Sequence, residues 1–335
     1  MRFRICTVVF VLGLIATSVV FADNLIVGSA STGAGRFTFD KLADNGSLVL
    51  SGTLDVARTS HTAVKLSNGS IFLAGGVEDL TSIEVLDEDG NVLFSNLLQD
   101  QRISAGGALL GNGNVFICAG TKATATWEIH SPTGTLVSSG SLLDSRGAGP
   151  NVLVLSNGNI WISGGADSPA TWEIHNVNGG LVSDGSLPEQ RYGAKLIPLA
   201  SGNLMFIGGL ADPSTWEIDT TAGVRVSIGN LSQLRDGGSG AVLLMNGNIF
   251  IFGGDNGGGV ATWEIRNQSG ALVSSGSLAV DESAATAALQ STGNVLIDGG
   301  GPNPFTWLIY SPSGSLVSSG STPNDHGPGH SQTHF

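Results

Sequence analysis

Two short marks recur along the chain at a spacing of about 45 residues, a period that belongs to stacked supersecondary units. The first is glycine-rich: Gly75-Gly76, Gly120, Gly164-Gly165, Gly208-Gly209, Gly253-Gly254 and Gly299-Gly300. The second follows each of these. It reads Ile83-Glu84-Val85, Trp127-Glu128-Ile129, Trp172-Glu173-Ile174, Trp216-Glu217-Ile218, Trp263-Glu264-Ile265 and Trp307-Leu308-Ile309.

Each repeat carries four short strand signals, named a to d. In the third repeat they fall at 151–155, 159–163, 171–175 and 181–186. The a–b turn is often Asn-Gly, as at Asn68-Gly69, Asn157-Gly158 and Asn246-Gly247. Both positions of that dipeptide tolerate positive φ, which a tight hairpin requires. Four antiparallel strands repeated at this spacing describe the blade of a propeller. The expected fold is therefore all-β: a seven-bladed β-propeller of four-stranded antiparallel blades in a single domain, 23–335. Repeats start near 58, 102, 146, 191, 235 and 281, and the seventh is split between 23–57 and 326–335. Its b, c and d strands are expected at 24–27, 37–39 and 48–54, and strand a in the tail at 330–335. Pairing tail with head closes the ring and removes exposed sheet edges.

Strand a opens with Arg58, Arg102, Arg146, Arg191 and Arg235, and strand c of the same repeats carries Glu84, Glu128, Glu173, Glu217 and Glu264. In the sixth repeat these registers hold Asp281 or Glu282 and Leu308; in the split repeat, His326 and Thr38. Arg and Glu disappear together, so the two are expected to touch. Strands a and c lie about 10 Å apart, with b between them. The Gly-Gly ending strand b is expected to leave room for a guanidinium crossing to a bidentate pair. Five equivalent copies indicate scaffold, because a catalytic centre needs one set. The strand-c Trp is likewise expected to pack blade on blade.

Residues 1–22 have the order of an export signal: basic Arg2 and Arg4, an apolar run, and Val20-Phe21-Ala22 as a small-residue cleavage site. This predicts a secreted or periplasmic protein with no membrane attachment after cleavage. Cleavage would remove Cys6 and leave Cys118, which cannot form an intramolecular disulfide. The formal net charge of −13 becomes −15 without Arg2 and Arg4. Such a surface disfavours nucleic acid, whose phosphates need clustered Lys and Arg. It also disfavours anionic membrane.

The repeat marks resemble the kelch-repeat family: an opening Arg, a His or small residue after it, an apolar strand ending in Gly-Gly, and a later strand with Glu between apolar residues. The stretch from Arg58 to Ala63 followed by Ile71 to Gly76 looks closest to exported bacterial kelch proteins. The resemblance spans the chain after residue 22 and implies a propeller with a fold like the galactose-oxidase central domain. It implies little about activity. The chain departs from the kelch pattern in placing Trp in strand c and lacking the usual d-strand Trp. A copper site of the galactose-oxidase type would need paired Tyr and His ligands and a Cys-modified Tyr, against which the chain offers Tyr192, Tyr310 and Cys118.

Function is expected on the face formed by the b–c and d–a connections, which are longer and more varied than the tight turns opposite. The b–c loops bring Glu78, Asp79, Asp167, Asp212 and Asp255, the candidate binding residues. The d–a connections add Asp55, Asp100, Asp144, Glu189, Asp281, Glu282 and Asp325. A ring of carboxylates could hold Ca²⁺, which takes oxygen ligands, or attract a basic peptide; its plainer role is a solvated rim. His326, His330 and His334 could share one side of a strand. No metal site or other cofactor is assigned. The first reading is a monomeric binding module for a protein or glycan. The alternatives are a carbohydrate-active enzyme (hydrolase, lyase or epimerase) using rim carboxylates and a structural or adhesion repeat.

Overall fold

The structure, a computed structural model, describes residues 23–27, 38–254, 260–301, 303–327 and 331–334. They form seven four-stranded antiparallel sheets, with no helix among the described residues. The first blade is β4 (Thr62–Lys65), β5 (Ile71–Ala74), β6 (Ser82–Leu86) and β7 (Val92–Leu97). The second is β8 (Gly106–Leu109), β9 (Val115–Cys118), β10 (Thr126–His130) and β11 (Leu136–Ser141). The third is β12 (Asn151–Val154), β13 (Ile160–Ser163), β14 (Thr171–His175) and β15 (Leu181–Ser186). The fourth is β16 (Lys195–Pro198), β17 (Leu204–Ile207), β18 (Thr215–Asp219) and β19 (Arg225–Asn230). The fifth is β20 (Ser239–Leu243), β21 (Ile249–Gly253), β22 (Thr262–Arg266) and β23 (Leu272–Ser277). The sixth is β24 (Thr286–Leu289), β25 (Val295–Asp298), β26 (Thr306–Tyr310) and β27 (Leu316–Ser321).

The seventh blade joins both ends of the chain in the order β28 (Ser331–His334), β1 (Asp23–Val27), β2 (Thr38–Ala43) and β3 (Leu48–Thr53). The tail strand pairs antiparallel with the head, Leu25 opposite Thr333 and Val27 opposite Ser331. Ring closure therefore rests on backbone hydrogen bonds and needs no covalent link.

The apolar core lies between blades. Phe250, Trp263 and Ile265 of the fifth blade pack on Val295 and Ile297 of the sixth. Each strand-c indole is held between two glycines. A Cβ on Gly140, in strand d of the same blade, would stand 2.5 Å from the Trp127 ring; one on Gly179, in the next c–d turn, would stand 2.1 Å away. Gly185 and Gly223 serve Trp172 in the same way, and Gly320 and Gly46 serve Trp307 across the closure. The d-strand glycines thus belong to the Trp packing.

Phe39 occupies the indole position in the split blade, between Gly52 and Gly90. This corrects the register expected there. Asp40 pairs with Ser51 as Glu128 pairs with Ser139, so Asp40 and not Thr38 holds the acid position. The pair is kept in this blade.

Candidate functional site

The register residue that opens each blade joins two blades at once. Its backbone bonds to the preceding blade: Arg102 N donates to Leu80 O at 2.8 Å, and Arg102 O accepts from Gly76 N at 3.0 Å. The same N–H bond recurs from Arg191 to Pro169 O at 2.7 Å and from His326 to Pro304 O at 2.7 Å. Its side chain turns into its own blade. Arg58 Nε donates to Glu84 at 2.8 Å, Arg102 Nη2 to Glu128 at 2.9 Å, Arg146 Nε to Glu173 at 2.8 Å and Arg191 Nη2 to Glu217 at 2.5 Å. Arg235 and Glu264 stand 3.7 Å apart. All ten side chains are buried.

The paired glycines do something other than clear a path for the guanidinium. The carbonyl of Gly75 accepts from Arg58 Nη1 at 2.8 Å. The space above the first glycine is filled by the next blade's backbone: a Cβ on Gly208 (φ +59°) would stand 1.7 Å from Arg235 O.

Four of the five glutamates gather further donors, whereas Oε1 of Glu84 is buried without a hydrogen-bond partner. Glu128 accepts from Gln99 N at 2.7 Å and contacts His130 Nε2 at 2.9 Å. Burial alone would raise its carboxyl, but hydrogen bonds from His130, Gln99 and Arg102 outweigh burial and hold it near about 2. In the fourth blade the position of His130 is occupied by Asp219, and Glu217 is served instead by Arg225 Nε at 2.8 Å from strand d. Burial and the Glu217 carboxylate push Asp219 up to about 7.

Between the last two blades the pattern changes. His326 takes the Arg position of the split blade, 2.7 Å from Asp298 Oδ2 and 3.2 Å from Asp40 Oδ2. Burial opposes the charged ring, but the two carboxylates push it up to about 10. Glu282 takes the Arg position of the sixth blade, opposite Leu308, with both carboxyl oxygens buried and without a hydrogen-bond partner. Burial, Asp298 and Asp281 raise it to about 9. His326 is thus part of the scaffold; His330 lies outside the described residues.

The acidic loop residues are not brought together. Asp79 Oδ1 accepts from Thr81 N at 3.1 Å and Ser82 N at 3.0 Å within its own loop. Asp212 accepts from Ser214 Oγ at 3.0 Å and Thr215 Oγ1 at 2.7 Å. Asp167 accepts from Ser145 Oγ at 2.6 Å, and Glu78 from Thr59 N at 3.2 Å. These four carboxylates tie loops to themselves or to the adjoining connection. Asp255 lies outside the described residues. Among the described residues no three His, Cys, Asp or Glu side chains are placed to hold a metal ion.

What the face does offer is a cavity of about 580 Å³ at the mouth of the central channel. Tyr192, Lys195, Asn151, Asp236 and Ser104 line it, with Pro150 and Leu210 as apolar wall. The innermost strands pack on one another around the axis: β28 on β4, β4 on β8, β8 on β12, β16 on β20, β20 on β24 and β24 on β28. The β12–β16 seam is the loosest of the seven, and Asn151 and Lys195 flank it. Beneath it the buried Trp161 stacks on Trp172, ring centroids 4.7 Å apart, where the neighbouring blades place Phe116 and Met205.

Asn151 and Lys195 share one register, the strand-a position in line with Trp172 and Trp216 of strand c. Its other members in the six continuous blades are Thr62, Gly106, Gly240 and Thr286. Lys195 is the one charged residue in that ring. Half-buried, it is lowered from its ordinary value by desolvation, partly opposed by Asp236. Sequence reasoning passed over Lys195 because it is neither a repeat mark nor acidic. Its signal was that very departure: a lone Lys where the repeats put small or neutral residues.

No family model and no curated protein matches the sequence. Solved structures do. A functionally unknown protein from Desulfotomaculum acetoxidans is similar with a TM-score of 0.68 at 12% identity, over 93% of this chain and 99% of that one. A fungal alcohol oxidase of the AA5 family in complex with copper gives a TM-score of 0.62 at 17% identity, over 81% of this chain and 66% of that one. The streptogramin B lyase structure gives 0.60 at 14% identity, over 82% and 90%. These likenesses show the propeller fold alone. The residues needed for a tyrosine–cysteine copper set are not assembled. Tyr310 and Cys118 are buried in the sixth and second blades, Tyr192 opens the fourth, and burial pushes the Cys118 thiol up to about 12.

Proposed function

We propose that this chain is an exported, kelch-type binding propeller that takes a glycan or similar small polar ligand at the channel mouth of its b–c/d–a face. The observation that carries this reading is the asymmetry of the mouth. Arg–Glu pairs and indoles repeat around the ring and hold it together, whereas Tyr192, Lys195, Asn151 and Asp236 occur as one set beside the loosest seam. A cavity of about 580 Å³ lies within the range of small-ligand sites. The Arg, Gly-Gly and Glu marks support kelch-type descent, and the order of residues 1–22 supports export. An enzyme built on rim carboxylates has less support, because Glu78, Asp79, Asp167 and Asp212 are engaged in loop hydrogen bonds.

Glycan-array binding by purified protein tests this, alongside Ala148→Trp, which plugs the mouth from a lining position. Binding should disappear in the variant while the melting temperature stays close to that of the parent. Glycan binding that survives the plug would remove the mouth as the site.

A further inference from the structure

The a–b and c–d turns gather at the end of the ring away from the channel mouth, because strands a and c run the same way in every antiparallel blade. In blades two to six these turns contain no charged residue: 110–114, 155–159, 199–203, 244–248 and 290–294 between a and b, and 131–135, 176–180, 220–224, 267–271 and 311–315 between c and d. The a–b turn of the first blade, 66–70, is uncharged as well. Charge enters these turns only beside the closure, at Asp44 and in the run Asp87-Glu88-Asp89. A chain with a net charge of −13 therefore has one nearly neutral end, while the other carries the acidic loops described above.

That end is not simply polar. Where each c–d turn meets strand d, the outermost strand, an apolar pair stands in water. In five blades it is Leu-Val, as at Leu136-Val137 and Leu272-Val273, with exposures of 41–55%. Apolar residues hold the same place in the other two blades. Covering such side chains is favourable and breaks no hydrogen bond. Inside this ring lie the a–b turns, on which Asn112, Asn157 and Asn246 are exposed. Each accepts through Oδ1 from the N–H two residues on, at 3.0–3.1 Å, which leaves its Nδ2 as a spare donor.

A twofold contact sets a surface against itself, so the surface must complement itself. A like-charged end fails that condition. Amides, hydroxyls and apolar pairs meet it, because spare amide donors find hydroxyls and turn carbonyls, and Leu and Val find their own kind. The spacing narrows the occupant further. Seven apolar stations around one ring are covered together by an object with the same sevenfold spacing, and a second copy has it. A standard interface takes about 800 Å² from each partner. Six a–b and seven c–d turns share this end, so about 60 Å² from each turn is enough. We propose that the chain forms a twofold dimer by stacking its uncharged end on that of a second copy. Like charges facing one another across an interface are costly. The Asp87-Glu88-Asp89 run therefore sets the rotation, meeting uncharged turns of the other copy. Both channel mouths face outward, so the dimer does not depend on what the mouth binds.

Sedimentation equilibrium of the full chain tests it, and the wild type should reach twice the chain mass at micromolar concentration. Ser156 and Met245 are exposed turn residues of the third and fifth blades. Ser156→Glu combined with Met245→Glu should weaken the dimer at least about 100-fold. Mixed with the Ser156→Lys, Met245→Lys chain, that variant should return to a heterodimer, identified by its mass, which also shows that both variants fold. Ala148→Trp, at the far end, should leave the dimer unchanged. Added salt should tighten association, since it screens repulsion between two acidic chains. A wild type still monomeric at about 0.1 mM, a dimer unmoved by the two glutamates, no heterodimer on mixing, or a dimer that salt dissolves would each overturn the proposal. If the glutamates instead abolish glycan binding by a monomer and Ala148→Trp does not, the uncharged end is a glycan surface, and the dimer and the mouth reading both fail. A monomer whose glycan binding is lost only in Ala148→Trp would sink the dimer and leave the mouth reading standing.

Discussion

Nε2 of His326 lies 3.2 Å from Oδ2 of Asp40, so the blade assembled from both ends of the chain keeps the cation–carboxylate pair that five continuous blades make with Arg and Glu. Asn324, in the connection leading to the tail, adds a 2.8 Å bond to Asp40. Closure is therefore locked by buried charge as well as by strand pairing.

That lock titrates. The folded-state value of His326, about 10, stands above its ordinary 6.5. A raised cationic group contributes stability that is fully present below 6.5 and lost as pH rises through about 10. Urea midpoints across that window should fall in the wild type and fall less in His326→Arg, which stays charged. Parallel decline in both would assign the alkaline loss elsewhere. His326→Ala should cost about 3–5 kcal/mol near neutral pH, because two carboxylates are left buried.

Glu282 is a defect in the repeat. With its value raised to about 9, from 4.5, its contribution to stability is greatest below 4.5 and declines as pH rises toward 9. Glu282→Met keeps the stem and removes the unpartnered oxygens. It should stabilise the protein at neutral pH by roughly 1–3 kcal/mol and flatten that part of the pH profile. A lower denaturation midpoint in the variant would count against the orphaned carboxyl as a cost.

Asp219 stands where His130 and His175 bind their glutamates. Its value of about 7, raised from 3.8, means that stability declines from the acid side as pH rises through neutrality. Asp219→His would place a donor beside Glu217, and Asp219→Asn would remove the charge. Both should raise the melting temperature more at pH 8 than at pH 5. A uniform shift at both values would separate the effect from ionisation.

Trp127 and Gly140 should behave as one unit. Gly140→Ala sets a methyl 2.5 Å from a buried ring and should cost about 1–3 kcal/mol. Trp127→Ala should cost about 3–5 kcal/mol. In the Trp127→Ala background the alanine at 140 has room, so a double-mutant cycle by urea denaturation should show strong coupling. Additive costs would mean that the glycine serves backbone conformation alone.

Much of the architecture was legible in the chain itself. Strand spacing, the Asn-Gly turns and the missing strand of the head predicted seven blades and closure by the tail, because hairpins and their turns are local chemistry. The Arg and Glu registers were readable for a related reason: covariation between repeats of one chain reports contact. The split blade was misread by two residues, since Phe39 replaces the Trp that marks the register elsewhere. The glycines were only half understood. Gly140 reads as a weak strand residue until the Trp127 ring is seen above it.

The candidate site was not legible. Acidic loop residues draw attention in a sequence, yet whether a carboxylate faces a ligand or its own loop amides depends on a few ångströms of backbone path. The sequence by itself determined the ring, because each repeat encodes the same strands and each strand's apolar pattern needs a neighbouring blade. Only the tertiary structure decided where the ring is uneven. The loose β12–β16 seam, and the cavity that Lys195 and Asn151 both line, arise from how unlike side chains such as Trp161 fill the space between two particular blades, a collective packing outcome that no single repeat contains.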